Sequence, residues 1–314
     1  MQAVTFVDGA IHHQNWPDPE PGLGEVLVAV RGAGINSGDL LQQRGLYPAP
    51  AGSPADIPGL EFAGTVIGCG PGVQRFAVGD RVMGVVGGGA QAERVVIHER
   101  AALPIPDGVS FTRAGGFPEA YTTAHDALFT QCGLTMGERV GITGAAGGVG
   151  TAAVQLARAA GATVVASVRD ASRHEAVAGL GATVIEPDAF WDAGPYDVIL
   201  ELIGGPNLDA DVKALGVGGR VVVIGVGAGA KGQVNLLALM AARGSIHAST
   251  LRARPLEGKA LTARAVEDHV LPLLADGRVD VPVHATYPLR EAGDAYEAFA
   301  AGAKFGKIVL TSEA

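Results

Sequence analysis

Between Glu25 and Arg31 the valines at 26, 28 and 30 fall on one face, the period of a half-buried β-strand. Gln2–Val7, Glu61–Ile67, Arg81–Val86 and Glu93–Ile97 carry similar short apolar runs, separated by glycine-rich turns, and are predicted as further strands. Asn15–Gly24 is proline-rich and reads as a loop. Many short strands without long helices predict a barrel-like β domain over residues 1–115. Near Arg113 the pattern changes. Apolar stretches at 139–143, 163–167, 183–185, 197–201, 220–224 and 245–248 alternate with helical spacing. That alternation predicts a doubly wound parallel sheet with helices on both faces, spanning residues 116–252. Leu256–Asp276 reads as helix, and Val281–Thr311 as two strands around a short helix. Residues 253–314 are expected to rejoin the first domain. The expected class is therefore α/β.

The most informative stretch runs from Arg139 to Gly161. Val140 and Ile142 mark a buried strand, and Gly144, Gly147, Gly148 and Gly150 form a turn. Val149, Ala153, Leu156, Ala157 and Ala160 then recur at helical spacing. A diphosphate can reach the free N–H groups of a helix's first turn only where side chains leave room, and the helix dipole favours its charge. The candidate cradle is Gly144, Ala145, Ala146, Gly147, Gly148, Val149 and Gly150. The usual G-x-G-x-x-G would place glycine at 145, where this chain has alanine.

Composition narrows the partners. A net charge of −9 over 314 residues argues against non-specific binding to nucleic acid or an anionic membrane. Cys69 and Cys132 are the only cysteines, too few for a disulfide framework or a zinc ribbon. No apolar stretch reaches the length of a membrane span, and no basic segment precedes an apolar run near Met1. A reducing, cytoplasmic setting is the expectation.

Several segments together are more specific than the glycine turn. They are Gly34-Ile-Asn-Ser-Gly-Asp-Leu-Leu-Gln-Gln-Arg-Gly-Leu-Tyr47, Gly59-Leu-Glu-Phe-Ala-Gly64, Pro118-Glu-Ala-Tyr-Thr-Thr-Ala124, Ser249-Thr-Leu-Arg-Ala-Arg254 and Gly306-Lys-Ile-Val-Leu310. With the order of parts, they resemble the medium-chain dehydrogenase/reductase superfamily, and within it the zinc-independent quinone oxidoreductases of the tumour-suppressor-inducible type. The resemblance implies a GroES-like β-barrel catalytic domain and a Rossmann domain that binds a nicotinamide dinucleotide. Zinc-using relatives carry cysteine where this chain has Asn36 and histidine where it has Leu60, so no metal is expected. The segment from Ala182 to Asp197 is shorter than the helical crossover many relatives have there.

The cofactor can be read from the end of the second nucleotide-domain strand. An NAD site places Asp or Glu there for the ribose diol. This chain has Ser167, followed by Arg169 and Arg173, which favours the ribose phosphate of NADPH. Asp170 falls late, and would serve NAD only if the strand ran on further. Resemblance adds Thr123, Gly204, Ile224 and Gly225 as cofactor contacts. It also implies that Asn36, Asp39 and Tyr47 surround the nicotinamide face, with Asn36 donating to the acceptor carbonyl. Turn or capping roles for Asn36 and Asp39 stay open, Asp39 suiting an N-cap before Leu40. Glu119 is read more simply as a helix N-terminal acid than as a functional carboxylate. The activity expected is quinone reduction by NADPH, in two-electron or single-electron steps. Reduction of the C=C bond of enals, enones or enoyl thioesters is the alternative, and a non-catalytic NADPH-binding protein a further one. The resemblance and the exposed edge of an open sheet point to a homodimer.

Overall fold

The computed structural model describes residues 1–312. In chain order its strands are β1 (Gln2–Val7), β2 (Ala10–Asn15), β3 (Glu25–Gly34), β4 (Glu61–Cys69), β5 (Arg81–Val85), β6 (Arg94–His98) and β7 (Ala102–Pro104). These are followed by β8 (Arg139–Ile142), β9 (Thr163–Ser167), β10 (Thr183–Ile185), β11 (Tyr196–Glu201), β12 (Leu215–Val223) and β13 (Ser245–Ala248). The last two are β14 (Val283–Pro288) and β15 (Lys307–Thr311). The chain divides into two compact units. One comprises Met1–Thr122 with the segment from Leu251 onward, and the other is Thr123–Thr250.

The split unit is built on a seven-stranded sheet in the order β14-β15-β3-β4-β5-β7, with β6 pairing a second stretch of β3. All its pairs are antiparallel except β14 with β15. The alternation in β3 does what its pattern predicts. Val26, Val28 and Val30 are buried and pack with Phe62, Val66, Val82, Val95 and Ile97. Burial of each such side chain stabilises by about 1.5–3 kcal/mol. A second cluster joins Val4 and Ile35 to Tyr296, Phe299, Ile308 and Leu310, so early and late parts of the chain share one core.

The inserted unit is a six-stranded sheet, parallel throughout, in the order β10-β9-β8-β11-β12-β13. This is the dinucleotide-binding order. It reverses direction between β8 and β11, where ligands of such sheets bind at the strands' carboxyl ends.

Two local differences from the sequence reading have physical causes, and one expectation takes a definite form. β2, Ala-Ile-His-His-Gln-Asn, shows no apolar alternation and is mostly exposed; full-length pairing with β1 alone makes it a strand. The helix expected over 256–276 is two, Leu256–His269 and Leu271–Ala275, because Pro272 cannot donate to the first. The short stretch between β10 and β11 holds no α-helix, only the 3-10 turn Pro187–Ala189 and the turns that follow it; Phe190 and Trp191 fill the space against the sheet.

Candidate active site

In the inserted unit, the turn after β8 leads into the helix Gly148–Ala159. Gly144 is left-handed, at φ +60°, which only glycine adopts cheaply. The residue after it has no such requirement, which explains how Ala145 stands in the usual glycine position; it is fully buried and its N–H donates to the Ser167 carbonyl (3.2 Å). Gly150 is needed for closeness: a Cβ there would lie 2.6 Å from the Ala145 Cα. Gly147 begins the helix and no side chain caps it. Added at 147, a methyl group would meet only the Gly144 carbonyl oxygen, at 3.6 Å. An uncapped, dipole-bearing helix start over a turn of glycines and small side chains fits a dinucleotide diphosphate.

The strand ends beside the turn are tied together. Ser167 is the last residue of β9 and is buried; Arg169 is exposed beyond it. Asp170 does not lie on the strand. It caps the next turn through the Ser172 N–H and pairs with Arg173 at 3.1 Å. Those hydrogen bonds from Ser172 hold its carboxyl below the usual range. The carboxyl end of β11 carries Glu201, fully buried, which sequence reasoning missed. Its side chain accepts the N–H groups of Ile203 and Gly204 and the Asn207 amide. Its backbone carbonyl accepts from Ile224 and Gly225, at 3.0 and 3.1 Å. Gly204, Ile224 and Gly225 are thereby gathered at one strand end. Thr123 is buried in the helix Pro118–His125.

In the split unit a charged cluster gathers where β3 ends and β4 and β15 begin. Asn36 and Asp39 flank the start of the helix Ser37–Gln43. Asp39 is the third helical residue, not the cap residue itself. It reaches back to the Asn36 N–H (2.8 Å) and also accepts from the Gly59 N–H (3.0 Å). Its burial raises its pKa to about 6. The Asn36 amide donates to Glu61 Oε1 (2.9 Å) and, weakly, to the Gly34 carbonyl (3.4 Å). In this arrangement it is committed to the cluster. The Lys307 ammonium contacts Glu61 Oε1 and Asn36 Oδ1, each at 2.6 Å. Glu61 Oε2 accepts the Glu119 N–H at 2.8 Å. One oxygen of the Glu119 carboxyl is sealed from solvent without a partner. Burial, and then the charge of Glu61, push its pKa up to about 8. Lys307 and Arg252 offset part of this effect, while Asp39 adds to it.

Tyr47 is half-buried on the long loop that follows the helix. A Cβ on Gly38 would meet the Tyr47 ring at 3.3 Å and Leu60 at 2.9 Å, so Tyr47, Leu60 and the Asn36 helix are neighbours. Lys307 and Arg252 escaped the sequence reading as site residues. The available signal was a basic residue opening or adjoining an apolar run, as in Lys307-Ile-Val-Leu.

These residues do not suit zinc. Leu60 offers no donor and Asn36 only an amide; of the carboxylates beside them, Glu61 already carries an ammonium and Asp39 is taken up by the Asn36 and Gly59 N–H groups. Among the described residues, no group of three or more His, Cys, Asp or Glu is placed to hold a metal ion. Among the same residues, no helix is long and apolar enough to cross a membrane.

Comparison with known proteins places this geometry among relatives. The model of the alcohol dehydrogenase GroES-like domain matches residues 22–107, and that of the zinc-binding dehydrogenase matches 161–310. The chain is similar to the pikromycin polyketide synthase component PikAII of Streptomyces venezuelae, 36% identical over 310 residues. It is 34% identical over 297 residues to the polyketide synthase GfsB of Streptomyces halstedii. These matches cover 93% and 92% of this chain but only 8% and 5% of those much longer proteins. Among solved structures, an alcohol dehydrogenase superfamily protein from Novosphingobium aromaticivorans superposes with a TM-score of 0.89 at 30% identity, covering 100% of both chains.

Proposed function

Because the chain belongs to the alcohol dehydrogenase superfamily of medium-chain dehydrogenases and reductases, whose members use a nicotinamide dinucleotide, we propose that it is an NADPH-dependent, metal-independent quinone reductase. The observation that carries this reading is the Lys307 ammonium seated on Glu61 and Asn36, where a metal would need soft or imidazole donors. Without a Lewis acid, the acceptor must be electrophilic by itself, and a quinone is.

NADPH would supply the hydride. The uncapped first turn at Gly147–Gly150 holds its diphosphate, and Ser167, Arg169 and Arg173 favour its ribose phosphate over a bare ribose. Arg173 already pairs with Asp170, so Arg169 carries the larger part. In the split unit, Asn36 and Asp39 order the helix start and Tyr47 walls the acceptor position or donates to its oxygen. Glu119, protonated at neutral pH by its burial, is the proton-bearing group of that cluster.

A second reading has its own support. The polyketide synthases among the relatives favour an acceptor in which a C=C bond is conjugated to a carbonyl. The same cofactor and residues would serve it. The test is oxidation of NADPH, followed at its absorbance band, against a panel of acceptors. Turnover of para-benzoquinone or phenanthrenequinone, with none of alkenals or crotonyl thioester, is expected. The reverse pattern favours the second reading, and tight NADPH binding without any turnover overturns both.

A further inference from the structure

Residues 44–60, between the helix Ser37–Gln43 and β4, contain neither helix nor strand. Loops of that length in folded units are commonly functional and need something to hold them. Arg252 is 2% exposed, one of the largest buried side chains of the protein. Its Nη1 donates to the Tyr47 carbonyl (2.6 Å) and its Nε to the Gly87 carbonyl (2.8 Å), while Nη2 donates to Gln42 Oε1. The guanidinium also lies over the Tyr47 ring, 4.8 Å from its centroid. Gln42 in turn donates to the Ala55 carbonyl (2.9 Å), so the same contact reaches the far part of the loop. The glycine segment at 87 packs on Pro50 and Ser53, which closes the circuit.

Two features make this more than core packing. Arg252 grips Tyr47 at two points, backbone oxygen and ring face, which fixes both the position and the tilt of the phenol. Its hydrogen-bond acceptors are neutral oxygens, so the bonds select the planar fork of a guanidinium rather than merely balance charge. We propose that Arg252 is a positioning residue: it clamps Tyr47 and its loop, and through Tyr47 sets how the acceptor is held. This rests on the reading that Tyr47 faces the acceptor.

The variants Arg252→Lys and Tyr47→Phe, and the double variant, test it. Lysine keeps the charge but cannot fill three acceptors in one plane or stack on the ring. Each single variant is expected to lower kcat/KM for the quinone by on the order of ten- to a hundredfold. The double variant should fall no further than the worse single one, and NADPH affinity by fluorescence should stay within about twofold. The direct readout is fluorine NMR of protein labelled with fluorotyrosine. Of the 5 tyrosine signals, the one absent in Tyr47→Phe should be the one that moves in Arg252→Lys. An unmoved resonance overturns the clamp, and so do losses that multiply in the double variant. A moved resonance with unchanged kinetics in both single variants keeps the clamp and removes Tyr47 from the proposed acceptor site.

Discussion

Glu119→Gln isolates the effect of burying a carboxyl among other carboxyls. Glutamine keeps the shape and cannot ionise. In the folded protein, burial and Glu61 raise the Glu119 pKa from 4.5 to about 8. In the unfolded chain it titrates near the ordinary value. Between these two pH values the folded state holds a proton that the unfolded state has lost, so stability falls as pH rises through the window. Below it both states are protonated and nothing is lost; above it the loss is complete. At roughly 1.4 kcal/mol for each unit, the full penalty is about 5 kcal/mol as an upper limit, reduced by any water that reaches the half-buried residue. The wild type and Glu119→Gln should therefore melt together near about pH 4.5. The variant should then gain steadily up to about pH 8 and hold a constant advantage above it. Paired calorimetric or dye-monitored melts at fixed ionic strength measure this. A difference that is flat across the range, or that shrinks as pH rises, refutes the assignment of Glu119 as the protonated member of the cluster.

Other expectations concern single contacts. Lys307→Met strands the buried Glu61 carboxylate and should cost about 3–5 kcal/mol, most of it restored by adding Glu61→Gln; equal melting points for the single and double variants would contradict this. Gly150→Ala forces a methyl group against the Ala145 backbone and should lower both the melting temperature and NADPH affinity. Gly147→Ala, with space around it, should melt normally but bind NADPH at least about tenfold more weakly by titration calorimetry, since its methyl group would sit at the helix start. Replacing Arg169 and Arg173 with alanine should cut the preference for NADPH over NADH by on the order of ten- to a hundredfold, an effect read from the ratio of kcat/KM values. A homodimer is expected in sedimentation at micromolar concentration, because β13 is an open sheet edge and Leu236, Leu237 and Met240 nearby are exposed; a monomer alone would contradict it.

The inserted unit was the more legible half. Its central strands are buried and apolar, its helices are periodic, and the glycine turn stands where β8 meets the helix Gly148–Ala159. Local patterning sufficed there because most strands pair with the next one in sequence, the crossover from β10 to β11 being the exception. The split unit hides its chemistry. Asn36 reads as a free amide until Glu61 and Lys307 are placed beside it, and Lys307 lies 271 residues away. Glu119 reads as an ordinary helix-start acid; only burial against Glu61 alters its proton affinity. Arg252 shows nothing of its fork until three separate segments converge on it. Charge on a buried group is decided by tertiary neighbours, which neither periodicity nor composition records. Asp39 suits a cap by residue type, but it lies three residues past the cap Asn36, and there its carboxylate accepts the cap residue's own N–H instead of one further along the helix.

The placement of β15 between β14 and β3 also bears on how the chain comes to be folded. On the ribosome, β3 emerges long before the strand that flanks it. At roughly 5–20 residues per second, the interval for some 270 residues is on the order of tens of seconds. During that time β6 can already pair with Glu25–Ala29, but Gly32–Gly34 of β3 lack the β15 partner and the Asn36–Glu61 pair has no lysine. The inserted unit, continuous in sequence, can complete its sheet within that interval. Synthesis thus sets a schedule in which the nucleotide-binding half matures first, while the half bearing the charged cluster stays open to chaperones until Lys307 arrives.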